Sequence, residues 1–140
     1  MITLKEAEKF HGHLGPYLVL GILAGELALK RLRCKKYFDL DIKVRGAKNK
    51  PKSCLIDGLQ LSTGATYGKG NINKLDGACI KIEFQNRLNN RRLTLRFKDS
   101  LIQKLKEAET HRDSEALAKQ LYKTYYLAAG AKSIGHLFCF

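Results

Sequence analysis

The chain has few of the residues and patterns that mark linkers, disulfide frameworks and zinc ribbons. It contains two prolines among 140 residues, and it has no Ser/Pro/Gly-rich tract, internal repeat or low-complexity segment. Its four cysteines are widely spaced without a CxxC pair, which excludes a disulfide framework and a zinc ribbon. A hydrophobic content of 44% in a chain of this length is enough for one buried core. We therefore predict one domain over residues 1–140.

Long apolar runs and a secretory leader are also missing. Residues 1–10 contain four charged side chains and no apolar run, unlike a signal peptide. The longest apolar stretch, residues 17–29, is interrupted by Glu26 and is too short to cross a bilayer. We expect a cytoplasmic protein without membrane association, with its thiols reduced.

Acidic residues are in short supply. The chain has 13 Asp and Glu against 26 Lys and Arg, a net charge of +13, with the excess concentrated in residues 30–52 and 81–98. Such a balance attracts nucleic acid, anionic cofactors or acidic protein surfaces. The basic residues are spread over several predicted elements, and no RNA- or DNA-binding motif organises them. We therefore favour a solvated Lys-rich surface, common in thermophile proteins, and keep nucleic-acid binding as an alternative.

Apolar periodicity and capping residues predict five helices, over residues 3–9, 16–33, 54–63, about 99–109 and 113–129. Thr3 and Glu6 have the spacing of a capping box at the start of the first helix. The second helix is apolar on nearly every face, so we expect it to be the central buried one. Gly21 and Gly25 lie four residues apart on one of its faces and would let another element approach closely.

Three segments alternate apolar and polar residues as half-buried strands do: 38–46, 78–86 and 91–98. In the first strand Phe38, Leu40, Ile42 and Val44 share one face. Residues 88–90 are suited to a hairpin turn between the second and third strands, and residues 135–140 are expected to add a final short strand. The pattern predicts an α+β domain, with a largely antiparallel sheet packed against the central apolar helix and flanked by other helices.

The histidines His11 and His13 are separated only by Gly12. In an extended loop two such residues project to the same side, and the glycine lets the backbone bring both rings to one point. Neutral imidazole is a common ligand of zinc, nickel or iron. Alternatively, both rings cap the following helix or form hydrogen bonds within the core, and an HxH pattern alone favours that structural role.

A thiol and a carboxylate, Cys54 and Asp57, share one face at the start of the third predicted helix. The helix dipole is expected to lower the pKa of the Cys54 thiol, which favours metal binding. Two histidines and one cysteine, with a fourth position open, would suit catalytic zinc. The remaining cysteines, Cys34, Cys79 and Cys139, are interpreted as small buried hydrophobic residues.

A glycine-rich segment, residues 64–71 (GATYGKGN), follows this helix. Glycines allow backbone conformations in which amide N–H groups bind an anion, and Lys69 adds a positive charge. The spacing from Gly64 to Lys69 is that of a P-loop, but Gly70 replaces the Ser or Thr that would hold magnesium, and the segment follows a helix. We expect a tight turn that shapes a pocket wall.

Together these blocks resemble the FmdE family, which is named after a component of formylmethanofuran dehydrogenase. Members of that family have an FHGH segment before a helix, and a C-x-x-D-x-x-Q helix that runs into T-G-x-T-x-G-K-G-N. The matching residues in this chain are Phe10, His11, Gly12, His13, Cys54, Asp57, Gln60, Thr63, Gly64, Thr66, Gly68, Lys69, Gly70 and Asn71. The resemblance covers roughly residues 1–100, and the helices and short strand of residues 99–140 would complete the domain.

The resemblance implies a metal-binding α+β module that is often dimeric. Its transition metal, zinc in the first place, would be held by His11, His13 and Cys54. Asp57 would be a general base and Lys69 an anion clamp in the pocket of a small anionic ligand. The other implied ligand-binding residues are Gln60, Thr63, Gly68 and Asn71.

Two positions depart from the family pattern. Many members have a cysteine where this chain has Ala65, and some have one where it has Gly15, so a redox pair or extra thiolate ligand at those positions is not expected. The cysteine-rich zinc domain of longer members is not expected either. The family name comes from a subunit of a molybdenum or tungsten enzyme, but we do not assign that dehydrogenase reaction. The alternatives are an accessory subunit of a larger redox enzyme and a basic nucleic-acid-binding protein.

Overall fold

A computed structural model describes residues 1–127 and 135–140 of the chain. Its elements, in chain order, are α1 (Leu4–His11), α2 (Pro16–Leu32), β1 (Leu40–Arg45), α3 (Cys54–Thr63), β2 (Ile72–Leu75), β3 (Lys81–Asn86), β4 (Arg92–Phe97), α4 (Asp99–Glu107), α5 (His111–Leu127) and β5 (Phe138–Cys139). The mixture of helices and a mostly antiparallel sheet confirms the predicted α+β fold.

The short helix α1 begins and ends at the residues that its sequence predicts. The Thr3 hydroxyl accepts a hydrogen bond from the Glu6 backbone N–H at 3.1 Å, and the Glu6 carboxylate accepts one from the Thr3 N–H at 2.7 Å. This reciprocal capping box satisfies two backbone donors that the helix itself cannot pair. Gly12 ends α1 in the left-handed region, with φ of 100°.

The helices α2 and α3 cross in close contact because glycines face each other at the crossing. A Cβ on Gly21 would lie 2.9 Å from Leu59 N and closer still to the Leu55 carbonyl. A Cβ on Gly58 would lie 2.8 Å from Ile22 N. These separations leave no room for a side chain, so the two backbones touch. The predicted close approach at Gly21 is confirmed, and it is α3 that makes it.

The sheet has five strands in the order β2-β1-β3-β4-β5. β1 pairs antiparallel with β3, β3 with β4, and β4 with β5. β2, a four-residue strand at the edge, pairs parallel with β1, and α3 lies between these two strands in the chain. The sequence analysis missed β2, because four residues are too few to show an alternating pattern.

One face of the sheet is buried and the other is polar. Ile42, Val44, Ile82, Phe84 and Leu95 are almost completely buried, and α2 packs on β3 and β4. The alternating residues of the same strands point away from α2 and are charged or polar. The chain thus places its apolar helix against one side of the sheet and leaves the opposite side to water.

Two sequence-based placements are wrong, because the strands start later than the alternation indicates. Phe38 lies before β1 and is 68% exposed, since the chain is still turning at Tyr37, whose φ is 83°. Cys79, in the segment 78–86 predicted as a strand, was expected to be buried, but β3 begins only at Lys81 and the thiol is exposed. Cys139 is exposed as well, whereas Cys34 is half-buried and packs against the core.

The start of α5 also differs from the prediction, with His111 as its first residue instead of residue 113. Residues 128 and 129, which the prediction included in this helix, lie outside the described residues. In the part of the chain that the structure describes, no helix combines the length and apolarity that a bilayer span requires.

The helix crossing makes a testable prediction for stability. In Gly58→Ala the new methyl group meets the backbone of α2, so we expect the free energy of unfolding to fall by about 1–3 kcal/mol, despite the better helix propensity of alanine. Gly68→Ala is the matched control, because a Cβ there meets nothing closer than Thr66 Oγ1 at 3.9 Å; its effect should stay within about 0.5 kcal/mol. Urea unfolding followed by circular dichroism measures both, and equal midpoints would contradict the close crossing.

Candidate functional site

A contact between His11 and Asp57 joins the two sequence blocks. His11 is the last residue of α1, and Asp57 lies in the first turn of α3. Nδ1 of His11 lies 2.6 Å from Oδ2 of Asp57, across 46 positions of sequence. At this distance the Nδ1–H donates a charge-assisted hydrogen bond to the carboxylate. The bond fixes the orientation of the imidazole ring.

The other nitrogen of the same ring is buried and unpaired. Among the solvent-shielded side-chain nitrogens and oxygens of residues 1–127 and 135–140, only Nε2 of His11 lacks a hydrogen-bond partner. Leaving such an atom unpaired costs about 1–3 kcal/mol. With Nδ1 donating to Asp57, the neutral ring carries an electron pair on Nε2. Metal-binding histidines have this arrangement, with one nitrogen held by a carboxylate and the other on the metal, so His11 fits a ligand role.

Two further imidazoles lie in series with His11. The ring centroid of His13 is 4.7 Å from that of His11 and 6.0 Å from that of His111. The left-handed turn at Gly12 brings the first two rings together, although His11 is helical and not part of an extended loop as predicted. His13 and His111 are both exposed.

The thiol of Cys54 lies between two cavities. Cys54 is the first residue of α3 and is half-buried. A cavity of about 120 Å³ is lined by Cys54 together with His13 and His111. A second cavity of about 230 Å³ is lined by Cys54 together with His11 and Asp57. Cys54 is therefore the residue that the two cavities share among these ligand-type side chains.

The prediction of a lowered thiol pKa at Cys54 is wrong. Burial raises the pKa of the Cys54 thiol, and the negative charge of Asp57 raises this pKa further. The ammonium group of Lys50 and a backbone hydrogen bond lower the pKa, but their effect is smaller. Desolvation of the thiolate thus outweighs the helix dipole. In the absence of metal the thiol is protonated at neutral pH.

The positive charges of the second cavity come from residues that sequence reasoning missed. Lys50 and Lys74 line it, beside Tyr67. Lys50 belongs to the basic loop before α3, where no pattern distinguished it from the other lysines. Lys74 lies on β2, the strand that the alternation did not reveal. Two ammonium groups at one cavity provide the charge that an anionic ligand requires.

Lys69, the expected anion clamp, contacts its own loop and the turn before β1. Its Nζ donates a hydrogen bond to the Gly64 carbonyl oxygen. The same atom lies 6.0 Å from the ring centroid of Tyr37 and 5.5 Å from that of Phe38, within the range of cation–π interactions. Among the described residues, those lining the two cavities at Cys54 do not include Lys69.

The other residues of the glycine-rich block mainly hold the loop in shape. The Gln60 side-chain oxygen accepts a hydrogen bond from the Tyr67 N–H at 3.2 Å. Asn71 is buried, and its side chain pairs with the Thr66 N–H and the Tyr37 carbonyl, both at 2.9 Å.

Thr63 and Gly68 complete the predicted ligand-binding set. The buried Thr63 hydroxyl donates to the Leu59 carbonyl at 2.6 Å and accepts from the Ala65 N–H at 3.1 Å. Gly68 is exposed at the tip of the loop. The structure thus gives Gln60, Thr63 and Asn71 structural partners within the protein, which agrees with the expected tight turn at a pocket wall.

The structure brings His11, His13, Cys54 and Asp57 to one region, with His111 added. With the side chains in their present positions, the described residues contain no group of three or more His, Cys, Asp or Glu that could hold a metal ion. No sequence motif includes His111, which lies 98 positions after His13. Its place in the amphipathic start of α5 gave no signal of a functional role.

Comparison with known proteins connects this site to a family. A family model described as "FmdE, Molybdenum formylmethanofuran dehydrogenase operon" matches residues 10–132 and includes both blocks. The chain is also similar to a "Probable S-adenosyl-L-methionine-binding protein" of Archaeoglobus fulgidus, at 33% identity over 76 residues. That match covers 52% of this chain and 20% of the relative, so the chain spans about a fifth of the relative's length.

The environment of Cys54 makes a prediction about pH. Because the charge of Asp57 raises the thiol pKa, Asp57→Asn should lower this pKa and move the pH profile of Cys54 alkylation by iodoacetamide to lower pH. Metal-free protein and mass spectrometry of the Cys54 peptide give the rates. Asp99→Asn, at the start of α4, is the control and should leave the profile in place. A profile that Asp57→Asn leaves unchanged, or moves to higher pH, would contradict the assigned electrostatics.

Proposed function

Since the chain belongs to the FmdE family, we propose that it is a metal-binding module that uses His11, His13 and Cys54 beside a cavity for a small anionic ligand. The family is associated with a molybdenum formylmethanofuran dehydrogenase operon. Membership alone does not assign the dehydrogenase reaction to this chain, and we propose none. We place the protein in the cytoplasm, in agreement with its free thiols.

The observation that carries the proposal is the unpaired Nε2 of His11. This atom is buried, and Asp57 holds the opposite nitrogen of the ring at 2.6 Å. Buried polar atoms in proteins almost always have a hydrogen-bond partner. An unpaired imidazole nitrogen therefore indicates that another group uses its electron pair. A metal ion at Nε2 removes the cost of the unpaired atom and uses the orientation that Asp57 imposes.

The donor set indicates zinc. Imidazole and thiolate together are typical of zinc, whereas magnesium and calcium prefer oxygen ligands. His13 is exposed, so its ring can turn toward a metal held by His11 without disturbing the packing of the core. The raised pKa of the Cys54 thiol means that metal binding must displace its proton. Metal affinity should therefore increase with pH up to the pKa of the thiol.

A bound zinc would supply Lewis-acid chemistry or activate a water molecule. The protein's own contribution is clearest at the second cavity, where Lys50 and Lys74 attract an anion to the side of Cys54. Asp57 is 36% exposed and lines this cavity, so we keep it as the candidate general base as well as the group that orients His11. The Lys69 ammonium group donates one of its three N–H groups to the Gly64 carbonyl and is not among the residues that line this cavity, so its role as an anion clamp stays a prediction.

The polar face of the sheet favours a second candidate function, an accessory subunit that docks to a larger redox enzyme. On this face Lys43, Arg92 and Arg96 are exposed, and none makes an ion pair with another described residue. Within the described strands this face has no aromatic side chain on which a base could stack, which favours an acidic protein over single-stranded nucleic acid. Co-purification with a larger complex separates this function from a stand-alone module. We also propose that the chain forms a homodimer, as the family resemblance implies, and light scattering tests this.

Elemental analysis tests the metal site. We expect about one zinc per chain in native protein and a loss of most of it in His13→Ala and in Cys54→Ala, because each variant removes a donor. His136→Ala and Cys79→Ser remove an exposed histidine and an exposed thiol outside the cavities and should keep the full metal content. Native protein without stoichiometric metal, or full metal content in both site variants, would refute the proposal.

Two alkylating agents of different charge test the anion cavity. If Lys50 and Lys74 attract anions, anionic iodoacetate should alkylate Cys54 faster, relative to neutral iodoacetamide, than it alkylates Cys79. Lys74→Gln should lower this ratio by roughly two- to tenfold, the effect of one partly screened charge. Lys106→Gln, on the exposed side of α4, is the control. A ratio that responds to Lys69→Gln and not to Lys74→Gln would show Lys69 to be the anion clamp instead.

A further inference from the structure

We propose that His111, at the first position of α5, is a further ligand of the metal in this site. The inference rests on the proposed function and extends it to the C-terminal half of the chain. It starts from the series of three imidazoles, in which His13 lies between His11 and His111. Three histidines beside a thiol are an unusual concentration in a chain that has four histidines in all.

The spacing of the rings agrees with ligands of one metal ion. Zinc binds an imidazole nitrogen at about 2.0–2.1 Å, so the centroids of two rings on a tetrahedral zinc lie roughly 5 Å apart. The measured separations, 4.7 Å for His11 and His13 and 6.0 Å for His13 and His111, lie on either side of this value. Each of these two neighbouring pairs is thus within about an ångström of the separation that a shared metal requires.

The backbone that carries His111 is held in place by the start of α5. The Thr110 hydroxyl accepts a hydrogen bond from the Asp113 N–H at 3.0 Å, and the Ser114 hydroxyl donates to the Ala108 carbonyl at 3.0 Å. These bonds fix the first turn of the helix next to the cavity that His13 and Cys54 line. Position 111 is thus anchored although its side chain is exposed.

No polar contact within the described residues fixes the His111 ring. It is exposed, and within the described part of the chain no hydrogen bond restrains it. Rotation about its side-chain bonds therefore breaks no polar contact in the protein. With His11, His13 and Cys54, His111 would bring the donor set to four and fill the position that three ligands leave open. An incoming anion would have to displace one of the two exposed ligands, His13 or His111.

Cobalt substitution tests the inference with a spectroscopic readout. The metal-free wild type, His111→Ala and His136→Ala are titrated with Co²⁺, and the visible absorption is recorded. In wild type and His136→Ala we expect intense d–d bands of a four-ligand site and a thiolate-to-cobalt charge-transfer band from Cys54. In His111→Ala the charge-transfer band should remain, the d–d bands should change in position and intensity, and Kd for Co²⁺ should rise by roughly 10- to 100-fold.

The outcomes separate the two proposals. If His111→Ala has the spectrum and the Kd of His136→Ala while wild type shows the charge-transfer band, the role of His111 is refuted and the metal site stands. If wild type binds no Co²⁺, the metal site is refuted and the role of His111 with it. His111→Gln, which keeps a polar side chain at the helix start, and circular dichroism of each variant show that a change in the spectrum does not come from unfolding.

Discussion

The close crossing of α2 and α3 is the constraint on which the rest of the structure depends. Gly21 and Gly58 leave no side chain between the two helices, so the backbones fix each other's position. The His11–His13 segment leads directly into α2, and Cys54 with Asp57 begins α3. A crossing set by backbone contact therefore also sets the distance between the imidazoles and the thiol. Bulkier residues at the crossing would move the two halves of the site apart.

The competition of forces at Cys54 shows why a helix start alone does not define a reactive thiol. The helix dipole and Lys50 favour the thiolate, whereas burial and the adjacent carboxylate disfavour it, and the latter prevail. The same carboxylate has a second effect, because it orients His11 and leaves Nε2 without a partner. Asp57 thus adds to the rise in the thiol pKa and orients the imidazole for binding. A positive ion arriving at the site reverses the first effect and uses the second.

What the sequence revealed was local, and what it concealed depends on contacts between distant segments. The capping box of Thr3, the bounds of α3 and the glycine face of α2 follow from residues within a few positions of each other, and all were predicted. His111, Lys50 and Lys74 reach the site only through the packing of α5, the basic loop and β2. The contacts of the Lys69 side chain were not foreseen for the same reason: Tyr37 and Phe38, about 30 positions earlier, place two rings near it that no local pattern indicates.

The second cavity is lined by residues of α3 on one side and by Lys74 of the edge strand β2. One wall is α3, which the glycine crossing ties to the centre of the protein, and the opposite wall includes Lys74 on a four-residue strand that pairs with β1 alone. Local opening of one element requires less free energy than global unfolding. The cavity thus joins the close helix crossing to the edge of the sheet. The affinity of an anion for it must include the free energy of keeping β2 closed, and ligand occupancy would in turn slow hydrogen exchange along that strand.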